Sequence, residues 1–86
     1  MKFEFDPAKS ASNKAKHGLD FVEAQALWNG VILEVSSPFA DEPRKLVIGN
    51  IAGIYWTAIV TGRADTIRLI SVRRSREKEI DAYENR

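Results

Sequence analysis

The 86-residue chain contains no cysteine, so neither disulfides nor thiolate metal sites can hold it together. That absence suits a reducing compartment. It has a single histidine, and a lone His without Cys offers too few of the usual zinc ligands, so neither a metal nor any other cofactor is expected. No apolar run approaches the roughly eighteen residues of a membrane span. The N-terminal MKFEFDPAKSAS carries acids where a signal peptide needs an apolar stretch, so secretion by that route is not expected and a cytoplasmic location is. With 44% hydrophobic and 29% charged residues, the composition is that of an ordinary globular domain and not of a disordered chain. The length fits one domain over residues 1–86, burying roughly 60–65% of its unfolded surface around a thin core.

What the chain does have is a local excess of positive charge. Residues 63–78, RADTIRLISVRRSREK, hold six of the thirteen Lys and Arg residues. Only Asp65 and Glu77 oppose them, so the segment carries +4 in a chain of net charge +1, and the remainder is net negative. Guanidinium groups crowded together repel one another unless an anion sits among them, and Arg favours planar, bidentate phosphate contacts. The charge pattern points to nucleic acid.

The periodicities give the frame. KFEF alternates Phe3 and Phe5 with Lys2 and Glu4, the period of a strand. Asp6-Pro7 reads as an N-cap with proline at the first helical position, opening a helix through His17 that Gly18 ends. Asp20, with Glu23 three residues on, starts a second helix through a capping-box pattern, with Phe21, Ala24, Leu27 and Trp28 on its apolar face. Strands follow at Val31–Val35, Leu46–Ile51, Ile54–Val60 and Thr66–Val72, the middle two joined across Ala52-Gly53 as a hairpin. An acidic loop with Phe39, Asp41, Glu42 and Pro43 lies between the first and second of these strands. From Ser75 the sequence turns helical, with Ile80 and Tyr83 on one side. The expected class is α+β: an antiparallel four-stranded meander plus an N-terminal strand, with two N-terminal helices and a C-terminal helix packed on the sheet. Ile54, Trp56, Ala58 and Val60 share one strand face while Tyr55, Thr57 and Thr61 share the other, which predicts one helix-covered face and one partly open, mixed face.

Three segments carry a resemblance: FEFDPAKSASNKAKHGLDF, RKLVIG and TGRADTIRLISVRRSREKEIDAYE. The combination N-x-x-KHG-x-x-F, R-x-I-S-x-RR and a downstream Y-E resembles the BrnT toxins of bacterial type II toxin–antitoxin systems, which share the RelE-type ribonuclease fold. The loop before RKLVIG, SSPFADEP, is shorter than the family's usual one. The resemblance implies an RNA-cleaving toxin in a toxin–antitoxin hetero-oligomer. The partner it implies is a BrnA-like antitoxin, a DNA-binding ribbon-helix-helix protein that represses its own operon. No membrane partner is implied.

Metal-independent RNA cleavage must activate a 2′-hydroxyl, stabilise charge on a phosphorane and protonate the leaving 5′-oxygen. Arg63, Arg68, Arg73 and Arg74 are the candidates for charge stabilisation. They stay protonated near neutral pH, so proton transfer falls to another group: His17, a lysine, a carboxylate or Tyr83. His17 is a candidate through the KHG motif, although a helix C-terminal residue complementing the last carbonyls is the plainer use. Lys14, Lys16, Ser71 and Arg76 are candidate RNA contacts; lysines on a short helix are more commonly a solvated face. Trp28 and Trp56 read as core or interface residues, and Tyr83 as a residue packed on the sheet. The rival functions are a non-catalytic nucleic-acid-binding or regulatory module, a toxin of the same fold with a non-RNA target, as in ParE-type relatives, and a structural partner for an acidic segment.

Overall fold

The computed structural model of the chain describes residues 1–37 and 43–86, without the side chains of Ser37 and Arg63. Phe39, Asp41 and Glu42 of the expected acidic loop lie outside the described residues. Five strands form one mixed sheet: β1 (Lys2–Glu4), β2 (Leu33–Ser37), β3 (Arg44–Ile51), β4 (Ile54–Arg63) and β5 (Thr66–Arg74), in the order β1-β5-β4-β3-β2. β2 to β5 pair antiparallel in sequence order, and β1 lies parallel to β5 at the edge, Phe3 opposite Ile67.

The local signals explain the elements. In α1 (Pro7–His17) the Asp6 carboxylate accepts the Ala8 amide at 2.9 Å, and Gly18 ends the helix at φ 88°, a conformation a Cβ would strain. The hairpin between β3 and β4 turns through left-handed Ala52 and Gly53, with the Gly53 amide bonded to Asn50 Oδ1 at 2.8 Å.

The second helix differs from expectation in kind. Its capping box forms: Asp20 Oδ1 accepts the Glu23 amide (2.7 Å), and Glu23 Oε1 accepts the Asp20 amide (3.0 Å). Yet Glu23–Asn29 winds as a 3-10 helix. The residues it must bury, Phe21, Ala24 and Leu27, recur every three positions, and a three-residue turn stacks them on one line. The first meander strand also starts later than Val31, at Leu33. Val31 and Ile32 form the connection, the Val31 carbonyl accepting the Tyr83 hydroxyl and Ile32 packing on the core.

Strand alternation sorts the sheet into two faces. One carries Val47, Trp56, Ala58, Val60, Leu69 and Val72, which pack with Leu19, Phe21, Ala24 and Leu27 into the main core. The opposite face carries Arg44, Leu46, Ile48, Thr57, Ile59, Thr61, Arg68 and Arg73. The C-terminal helix α2 (Glu77–Glu84) covers only one end of that second face, where Ile48 and Thr57 are fully buried and Tyr83 meets Tyr55 edge-on at 5.5 Å. The rest of that face is left to the site.

A basic trough on the second face

Register builds a row of polar side chains across this open end of the sheet. Arg44 on β3 stands opposite Thr61 on β4, Thr61 opposite Arg68 on β5, and Arg68 opposite Glu4 on β1. Beside the row β5 bulges: Val60 pairs with Leu69 and Ile59 with Ser71, leaving Ile70 as the extra residue. A bulge bends the strand and re-aims its side chains, and here it places both Ile70 and Ser71 on the wall of a pocket.

α1 forms the other wall. It lies along β5 where β1 stops, and Asn13 substitutes for the missing strand. Its Nδ2 donates to the Val72 carbonyl (2.8 Å) and its Oδ1 accepts the Val72 amide (3.1 Å). Nδ2 also donates to the Leu19 carbonyl (2.7 Å), so the buried amide is fully used. Ser10, one turn earlier, accepts the Phe21 amide at 2.9 Å. These two buried anchors fix the rotation of the helix and turn Lys9, Ser12, Lys16 and His17 towards Ile70 and Ser71.

The result is a pair of contiguous pockets. One, of about 170 Å³, is lined by Lys9, Ser12, Asn13, Lys16, His17, Ile70 and Ser71. The other, of about 220 Å³, is lined by Asp6, Lys9, Arg44, Thr61, Arg68, Leu69 and Ile70. Lys9 and Ile70 belong to both, so together they make one trough. Among the described residues four cations line it (Lys9, Lys16, Arg44, Arg68) against one lining carboxylate, Asp6, which already caps α1. Arg68 approaches Glu4 only at 3.7 Å, with both side chains about 40% exposed, a pair worth little in water. Among the described residues no cluster of three His, Cys, Asp or Glu side chains could hold a metal ion. A larger cleft of about 550 Å³, between Met1, Phe3, Val22 and Trp28, has no Lys or Arg lining among the described residues and lacks the charge for a phosphate.

The sequence candidates divide on this geometry. Arg68, Lys16, His17 and Ser71 line the trough. Arg63 pairs through its backbone with Thr66, but its side chain lies outside the described residues. Lys14 is turned away, 2.8 Å from Glu23. Hydrogen bonding to that carboxylate raises the lysine's pKa and lowers the glutamate's. Arg74 shares the main-core face with its partner Trp56 and lies 5.8 Å from the indole centre. Arg76 is exposed at the start of α2, its amide bonded to Glu79. Tyr83 donates to the Val31 carbonyl at 2.8 Å and packs on Tyr55.

Arg73 has a different occupation. Its Nη1 and Nη2 both lie 2.8 Å from the Glu79 carboxylate, which also accepts from Thr57 Oγ1 (3.0 Å) and the Arg76 amide (2.7 Å). The guanidinium beside it holds Glu79 at about pKa 2 instead of 4.5, and the same bonds raise that of Arg73. Both side chains are largely buried, so this knot clamps α2 onto β4 and β5 with its charge internally balanced.

Sequence reasoning missed Lys9, Ser12, Thr61 and Arg44. Lys9, Ser12 and Lys16 sit at i, i+3 and i+7, a helical spacing visible in the sequence. Arg44 is visible only through its register with Thr61.

A family model described as "Ribonuclease toxin, BrnT, of type II toxin-antitoxin system" matches residues 5–79. No curated protein matches the chain in sequence. The matched segment runs from just before the cap of α1, through both walls of the trough, to Glu79 in the α2 clamp. On that match the chain belongs to the BrnT family of ribonuclease toxins of type II toxin–antitoxin systems.

Proposed function

We propose that the chain is a cytoplasmic, metal-independent endoribonuclease with a RelE-like fold, that it binds RNA in the basic trough, and that a BrnA-like ribbon-helix-helix antitoxin neutralises it. One observation carries the reading: the fold brings the single histidine, two lysines and two arginines from three separate elements to one concave surface. The reacting phosphate sits where the two pockets meet, beside Lys9, with Arg68 on one side and His17 on the other. His17 takes the proton of the 2′-hydroxyl, imidazole being the side chain that exchanges protons most readily near neutral pH. The 2′-oxygen attacks phosphorus, the bond to the 5′-oxygen breaks, and that oxygen takes a proton from a trough lysine or from water. Arg68 and Lys9 stabilise the extra charge on the phosphorane. The products are a 2′,3′-cyclic phosphate and a 5′-hydroxyl.

The antitoxin reading follows from the same charge. An acidic segment lying along the trough would meet the cations that RNA needs and exclude it. In the hetero-oligomer so formed, toxin activity is masked until the antitoxin is lost.

The test is an oligoribonucleotide with a single 2′-deoxy position. Cleavage should stop at that position alone, and the fragments elsewhere should end in cyclic phosphate. Cleavage that continues across the deoxy position would rule out attack by the 2′-oxygen. Tight, salt-dependent binding with no cleavage would favour the non-catalytic reading.

A further inference from the structure

Arg44 is a lining arginine that the reaction above leaves without a role. It is half-buried, its Nε is fully buried, and that donor has no hydrogen-bond partner among the described residues. A buried cationic donor without an acceptor is destabilising, and an anion in the 220 Å³ pocket that it lines would relieve it. Thr61, directly opposite on β4, adds a hydroxyl to the same pocket.

Position and charge both argue against a single phosphate for the whole trough. Arg44 and Arg68 flank Thr61, so their backbones stand two strand spacings apart, about 10 Å. His17 lies beyond Arg68, on the far wall, in the other pocket. Among the described residues, four lining cations against Asp6 leave an excess that one phosphodiester charge does not neutralise and two consecutive charges come closer to matching. We propose that Arg44 and Thr61 hold a second, non-reacting phosphate, one nucleotide from the reacting one, so that the trough grips single-stranded RNA through two consecutive phosphodiesters. This rests on the reading of the trough as the cleavage site.

The experiment compares a dinucleoside monophosphate, with one phosphodiester, and a trinucleoside diphosphate, with two. For wild type, kcat/KM on the two-phosphate substrate should exceed that on the shorter one by roughly tenfold to a hundredfold, the range a charge-assisted phosphate contact supports. Arg44→Gln, which keeps most of the buried stem, should collapse that ratio; Arg44→Lys should restore part of it, and Thr61→Val should reduce it independently. A ratio that persists in Arg44→Gln overturns the proposal. So does a folded Arg44→Gln protein that loses activity on both substrates by the same factor, because Arg44 would then act on the reacting phosphate. If wild type cleaves neither substrate, the cleavage reading fails, and the subsite is decided by binding of the 2′-deoxy forms. Preference for two phosphates that disappears in Arg44→Gln supports the subsite, and preference that survives contradicts it.

Discussion

Asn13 on α1 pairs with the backbone of Val72 on β5 as a strand would, giving one hydrogen bond and taking another with a single side-chain amide. The pairing docks a helix on a sheet edge that β1 is too short to cover. It also decides which side of α1 faces the trough, so a buried structural residue sets the geometry of the exposed site.

Asn13→Ala should therefore destabilise the protein by about 2–4 kcal/mol, since it strands an amide and two carbonyls in the interior. Asn13→Asp should be no better, because a carboxylate accepts the Val72 amide but donates to neither carbonyl. Chemical denaturation measures both. A loss below about 0.5 kcal/mol would show that α1 is held by other contacts.

The Arg73–Glu79 pair makes stability depend on pH. Glu79 has a folded pKa of about 2, below its ordinary 4.5, so the fold favours its ionised form. That contribution is present above about pH 4.5 and is lost as the pH falls through about 2; it is on the order of 3 kcal/mol. Glu79→Gln should flatten the acid limb of a stability–pH curve over that window. Arg73→Ala, which leaves the carboxylate without its cation, should cost about 2–4 kcal/mol at neutral pH. Any loss of toxicity in Arg73→Ala should then accompany a lower melting temperature, whereas Arg68→Ala should lose activity with its melting temperature nearly intact.

Lysines of α1 should separate by orientation. Lys16 lines the trough and Lys14 is paired with Glu23. Lys16→Ala should lower the slope of log affinity for RNA against log salt by about 1 unit, and Lys14→Ala should leave it unchanged. Equal effects from both would show that RNA follows a different path over the helix.

Much of this was legible in the sequence where a signal is local. Asp6-Pro7, Gly18, the Asp20–Glu23 box and the Ala52-Gly53 turn each act within a few residues, and each forms. The alternation of Trp56, Ala58 and Val60 against Thr57 and Thr61 sorted the two faces correctly. What escaped depends on contacts between distant segments. Arg44 gains its place only when β3 meets β4 in one register, and Arg73 loses its free charge only when α2 folds back to bring Glu79 to it. Three arginines of one cluster in sequence thus take three different places: Arg68 on the trough, Arg73 in a structural clamp and Arg74 over Trp56.

RNA cleavage by the purified chain with and without EDTA, for wild type, His17→Ala and Arg68→Ala, decides whether the trough cleaves RNA without a metal. We expect cleavage that EDTA does not change and a fall in kcat on the order of 10²-fold or more in each variant. Cleavage abolished by EDTA, or unaltered in both variants, would contradict a metal-independent reaction in this trough.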